Sequence, residues 1–187
     1  MKTMKINMVS LFWILGFLFI TLDSNSQDIK LSRQERKEVR KAQMAANFHV
    51  LDSLLNAKSF VLEADYLQNG YGYRVPVVSG LNFIKVDNLK GVLQTGSDFR
   101  VGYNGVGGVT AEGSIGSWKI DKNLKALSHT VQFTLLTQLG YYDVLMTISS
   151  DNHATATIKG STRGQLTWDG HLETIDNARV FKGHNTI

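Results

Sequence analysis

The chain has 187 residues and no cysteine. That absence excludes a disulfide framework, a thiol nucleophile, a cysteine-ligated zinc site and a lipid-anchored cysteine behind a leader. Proline occurs once, at Pro76, so no Pro-rich linker divides the chain, and the segment around it is expected at a sheet edge or strand end. Long apolar runs are scarce as well. The one of note, Met8 to Ile20, has 13 residues, short of the ~20 that a helix needs to cross a bilayer. Charge is nearly balanced, with 20 Lys and Arg against 16 Asp and Glu, a net +4. Much of the surplus is local: Arg33, Arg36, Lys37, Arg40 and Lys41 stand against Glu35 and Glu38. A run of that kind is the solvated face of a helix, and no nucleic-acid partner is expected.

What is present at the N-terminus has the layout of a secretory signal peptide: Lys2 and Lys5, the apolar run, then the polar "TLDSNSQ". Small residues at Ser24 and Ser26 place cleavage between Ser26 and Gln27. Residues 1–26 are therefore expected to be a leader and the remainder periplasmic or secreted, with no lipid anchor and no membrane span. Removal of Lys2, Lys5 and Asp23 takes the net charge from +4 to +3.

From Ser32 the period is helical. "SRQE" is a capping box, in which the Ser32 hydroxyl meets the Glu35 amide and the Glu35 carboxylate returns to the Ser32 amide. Met44, Phe48, Leu51 and Leu55 follow at spacings of four, three and four, an apolar stripe confined to the second half. Residues 27–58 are thus expected to form a basic amphipathic helix that docks by its C-terminal turns. After Ser59 the period becomes two. Val131, Phe133 and Leu135 share a face, as do Val144, Met146 and Ile148, and Ala154, Ala156 and Ile158 alternate with Thr155, Thr157 and Lys159. About nine or ten short strands are expected, giving a single antiparallel β domain over 59–187. So many strands close into a barrel or fold into two layers to avoid exposed edges. An up-and-down barrel or strongly curved sheet with one N-terminal helix is favoured, with a two-layer β-sandwich as the alternative.

Six glycines crowd the stretch from Gly102 to Gly116. A P-loop would need lysine where Gly108 stands after Gly107, and a dinucleotide fingerprint would need a third glycine where Thr110 stands. No nucleotide or other cofactor is implied. Asn104 and Gly105 are expected to make a tight turn, and Gly107, Gly108 and Gly113 to serve bulges, coiling or the close approach of another segment.

"SFVLEADYL", "NFIKVD", "NGVGGVTAEGSIGSWKI" and "RVFKG" together resemble a family of exported proteins from Gram-negative bacteria known as domain of unknown function 4251. The resemblance covers nearly all of the chain beyond the leader. It implies a lipocalin-like β-barrel or sandwich with a leading helix, and it implies no activity. It also implies a lipidated cysteine in some members, which this chain lacks.

Two constellations could carry chemistry. Asp151 with His153 and Asp169 with His171 are both Asp-x-His, each expected at a hairpin turn about 10 Å from the other, where they could hold a divalent metal or act as acid and base. Asp-Asn and Asp-Gly are also favoured turn dipeptides, so turn chemistry alone accounts for them. Separately, Tyr73, Trp118, Phe133, Tyr142 and Trp168 could line a cavity for a small apolar ligand, although aromatics more often fill a core. The sequence thus points to an exported non-enzymatic module that binds a small apolar ligand or an envelope protein. A hydrolase or metal enzyme at the Asp-x-His residues is the alternative.

Overall fold

The computed structural model describes residues 32–99, 101–161 and 164–186; the expected leader, residues 1–26, lies outside them. The chain divides into two units, of which the described residues 32–36 belong to the first and those from 37 onward to the second. Helix α1 spans Arg33–Asn56. At its start the Ser32 amide donates to Glu35 Oε2 at 2.7 Å and the Glu35 amide to Ser32 Oγ at 3.3 Å, the reciprocal box read from "SRQE". The Glu35 carboxylate accepts from Ser32, from its amide first and its hydroxyl second, and this lowers the Glu35 pKa. Burial begins only in the second half: Phe48, Leu51 and Leu55 are buried, and Leu51 and Leu55 enter the core of the second unit.

Nine strands follow: β1 Ser59–Asn69, β2 Arg74–Pro76, β3 Phe83–Asp87, β4 Lys90–Thr95, β5 Val109–Asn123, β6 Ser128–Thr137, β7 Gly140–Ser149, β8 His153–Gly160 and β9 Gln165–Glu173. All pair antiparallel, and β1 returns to pair with β9, so the eight strands other than β2 close an up-and-down barrel. The two-layer sandwich is thereby replaced by closure. Short β2 ends at Pro76 and pairs with β1 beyond the reach of β3, as the missing proline N–H requires.

Alternation puts the large apolar side chains inside. Val131 faces Met146, Phe133 faces Val144, and Ala156 lies between Met146 and Trp168. The small Ala156 leaves room for the indole beside it, the interdigitation that native packing density demands. Closure between β9 and β1 sets Gly170 opposite Ala64, with a register shift before Tyr66. A Cβ at Gly170 would overlap the Glu63 carbonyl oxygen, so the seam needs glycine there.

Outside the barrel, the chain after β9 runs as a strap across β1, β3 and β4. Ile175, Ala178 and Val180 pack on Val61, Phe83 and Val92. Its backbone is tied down by Arg179 N–H to Glu63 Oε1 at 2.9 Å and Phe181 N–H to the Gly80 carbonyl at 2.9 Å.

Candidate functional site

One end of the barrel is plugged. Leu51 and Leu55 of α1 meet Phe60, Val131 and Ile148, with Trp118 stacked on Phe133 at 5.3 Å and tilted against Phe60 at 6.3 Å. The opposite end, where β4, β8 and their neighbours reach the 95–109 and 160–165 connections, is open. A cavity of about 360 Å3 lies there, walled by Leu93 and Thr95 of β4, Val109 and Ala111 of β5, Tyr142 of β7, Ile158 and Gly160 of β8, and Gly164, Gln165, Leu166 and Trp168 in and before β9. Small residues, Thr95, Ala111 and Gly160, alternate in this wall with the larger Leu93, Tyr142, Ile158, Leu166 and Trp168, and the space lies where the small ones stand. No Asp, Glu, Lys, Arg or His is among the described lining residues. Trp168 is 1% exposed, and its indole N–H has no hydrogen-bond partner among the described residues.

The five aromatics read from the sequence are therefore divided. Tyr142 and Trp168 wall the cavity. Trp118 and Phe133 fill the other half of the barrel, with the Lys58 ammonium 5.2 Å from the Trp118 ring centre, and also border an outer cleft between β5 and β8. That cleft carries Lys119, Asp143 and Lys159 among its walls, outward residues that water already serves. Tyr73 stands apart, 71% exposed in the β1–β2 turn, where its amide and that of Tyr71 donate to Asn69 Oδ1.

The two Asp-x-His segments come closer than expected but not as two turns. Asp151 does lie in the β7–β8 turn, where its carboxylate accepts from the Ser149 hydroxyl and the His153 amide; those bonds lower its pKa. Asp169 to His171, in contrast, is strand interior: Asp169-Gly170 looks like a turn dipeptide, but the glycine serves the β1–β9 seam. His153 and His171 are direct cross-strand partners on adjacent strands. On this outer face His153 Nε2 is 3.5 Å from Asp169 Oδ1, and His171 lies 3.6 Å from Asp65 and 3.9 Å from Glu63. Arg74 binds Asp169 at 2.8 Å and covers the Tyr66 ring at 4.0 Å. Among the described residues, no group of three or more His, Cys, Asp or Glu is arranged to hold a metal ion.

The glycine segment does not touch phosphate-like chemistry either. The described part of the β4–β5 connection is organised by the buried Asn104 carboxamide, which donates to the Thr95 carbonyl (3.1 Å) and Thr110 Oγ1 (3.0 Å) and accepts from the Val106 (3.0 Å) and Gly108 (2.9 Å) amides. Gly105 and Gly107 adopt φ of +78° and +80°, which the path around Asn104 requires. A Cβ at Gly108 would overlap the Thr95 carbonyl, and one at Gly113 the Leu136 carbonyl. Thr110 passes the network to Gln94 Oε1 at 2.9 Å, while Gln94 Nε2 donates to Leu81 and Phe181 carbonyls and Oε1 also accepts from Gly183. This network clamps the strap and fixes Thr95 and Val109 at the cavity wall. Gln94 and Thr110 gave no sequence signal beyond being polar in a strand.

A family model, "Domain of unknown function (DUF4251)", matches residues 42–172. The chain belongs to this family. Among solved structures it is similar to a DUF4251 family protein from Bacteroides eggerthii DSM 20697, with 27% identity, a TM-score of 0.61, and coverage of 74% of this chain and 96% of that one. No curated protein matches the chain. The DUF4251 match begins in the middle of α1 and ends in β9, so it spans the second half of the helix, the barrel and the cavity, and leaves out the strap.

Proposed function

We propose that this DUF4251 protein is an exported, non-enzymatic carrier that holds a small apolar molecule in the open end of its barrel. The observation that carries the reading is the cavity itself. Phe60 and Met146 are fully buried, yet a void of about 360 Å3 remains at the other end, within the range of small-molecule sites. Export rests on residues 1–26, whose charge and apolar pattern is that of a leader. Among the described residues no helix is long and apolar enough to cross a membrane. Hydrolytic or metal chemistry at the Asp-x-His residues has less support, because His153, His171 and Asp169 lie on the outer face of the barrel, with Asp169 bound by Arg74, away from the cavity.

Native mass spectrometry of protein gently purified from its own cells tests the reading. A reproducible extra mass that disappears on denaturation is expected. The same preparation of an Ala111→Trp variant, which fills the cavity from β5, should fly bare. A bare wild type, or a mass held equally by Ala111→Trp, contradicts the carrier reading, and an intact complex with a second polypeptide moves it to envelope docking.

A further inference from the structure

We propose that the open end of the barrel docks on a lipid bilayer, and that the carried molecule enters and leaves the cavity there. The second clause rests on the carrier reading; the first stands on a separate observation, the placement of exposed aromatic side chains. Antiparallel order sends β1 away from α1, so the β1–β2 turn, the β4–β5 connection and the β6–β7 hairpin all lie at the open end. Tyr71 and Tyr73 stand in the first, Phe99 and Tyr103 in the second, and Tyr141 at the head of β7 after the third. Tyr71, Phe99 and Tyr103 are 98%, 89% and 90% exposed. The hairpin turns of the plugged end, 88–89, 124–127 and 150–152, carry no aromatic residue, and their exposed large apolar side chains are Leu89 and Leu124. Single exposed apolar residues are ordinary, but aromatics gathered at one end mark an interaction surface. These connections also border the cavity. Thr95 and Val109 of its wall lead into the second, Tyr142 follows Tyr141, and a Cβ on Gly70 beside the first would touch Gln165 at 3.9 Å. Phenylalanine and tyrosine suit the membrane–water interface, where the ring meets the acyl boundary and the tyrosine hydroxyl stays among the headgroups. Because the rings come from separate tips and not from one continuous patch, a fluid surface that each tip enters independently fits them better than a rigid protein face. An apolar molecule then passes between cavity and acyl chains without crossing water, where its exposure is costly.

Flotation of the protein, purified from its own cells, with vesicles of phosphatidylcholine alone tests the docking. Salt at about 0.5 M screens any pull from the basic turns of α1. The unaltered protein is expected to float. The variant Tyr71→Ser/Phe99→Ser/Tyr103→Ser should partition about tenfold less, since binding scales with the apolar area that enters the interface, while Leu89→Ser/Leu124→Ser at the plugged end floats as the parent does. Melting temperature checks that both variants fold; should the triple variant melt early, Tyr71→Ser alone takes its place, with a loss of about threefold. A parent that stays in solution, or a triple variant that floats equally, overturns the docking. So does a second polypeptide that co-purifies with a non-floating parent and is lost from the triple variant, which assigns the rings to a protein partner. Native mass spectrometry separates this from the carrier reading. A bound mass on protein that does not float leaves the carrier standing without its membrane, and a floating protein that flies bare keeps the docking surface and removes the cargo. Incubation with the vesicles should strip the bound mass from the parent and leave it on the triple variant; equal retention by both overturns the second clause.

Discussion

The plugged and open ends of the barrel are made by the same strands with the same inward alternation, yet one is filled and the other is hollow. At the plugged end the inward positions carry Phe60, Val131, Phe133, Met146 and Ile148, and α1 adds Leu51 and Leu55. At the open end Thr95, Ala111 and Gly160 are interspersed among Leu93, Val109, Ile158, Leu166, Tyr142 and Trp168. Period-two patterning specifies which side chains face inward. It does not specify how much volume they fill, and volume is what distinguishes a core from a site.

The largest expected effect breaks that comparison directly. Leu55 is fully buried in the plug, and Leu55→Ala should cost about 2–5 kcal/mol, since a packed site collapses only partly around a deleted side chain. Leu166→Ala, on the wall of an existing cavity, should cost well under half as much, because its side chain is already half-solvated and leaves few contacts behind. Chemical denaturation of both variants measures this. Equal costs would mean that the open end is packed in solution and that the void has closed.

Most of the plugged end was legible in the sequence, and most of the open end was not. The capping box, the stripe from Met44 to Leu55 and the alternation of β6 to β8 follow from local chemistry, so pattern reading finds them. The network of Asn104, Thr110, Gln94 and the strap joins residues up to 89 positions apart, and nothing in the local pattern marks Gln94 as its centre. Asp169-Gly170 misleads for a related reason: the dipeptide has turn chemistry, but the glycine is required by backbone approach from a strand about a hundred residues earlier. His129 carries no signal in the alternation of β6. It is fully buried, stacked on Phe48 at 4.3 Å, with Nε2 3.3 Å from Asp52 Oδ1.

That histidine makes the two ends differ in their response to acid. Burial pushes the His129 imidazole below its ordinary pKa, and the Asp52 carboxylate offsets this only in part, with Lys122 acting in the same direction as burial. Asp52 itself is held below the usual carboxylate range, first by Lys122 at 2.6 Å and then by His129. The folded state therefore binds fewer protons at His129 than the unfolded chain does. Its contribution is present above the unfolded value of about 6.5 and is lost as pH falls through that value toward the lower folded one. Melting temperature should drop between pH 7.5 and 5.5, and His129→Phe, which keeps a ring against Phe48, should flatten that drop. Affinity of the cavity for a neutral ligand should stay level over the same interval, since its described walls hold no group that titrates there. A drop of equal size in His129→Phe would place the acid sensitivity elsewhere.

The smallest expected effect concerns the residues that looked most like chemistry. His153 and His171 face each other across β8 and β9, with exposed side chains and partners between 3.5 and 3.9 Å away. Pairs of that kind are screened by water and contribute little. The double variant His153→Ala/His171→Ala should therefore unfold within about 0.5 kcal/mol of the parent and carry the same bound mass in native mass spectrometry. Denaturation and mass spectrometry of the same sample read both quantities. A loss beyond about 2 kcal/mol would show that Glu63, buried beneath the strap and bonded to the Arg179 amide, depends on His171 for its compensation, because a buried carboxylate deprived of its partner is expensive. A loss of the bound mass with stability intact would instead place the ligand on the outer face of β8, β9 and β1. Only the unchanged result keeps function at the hollow end and leaves these histidines as surface.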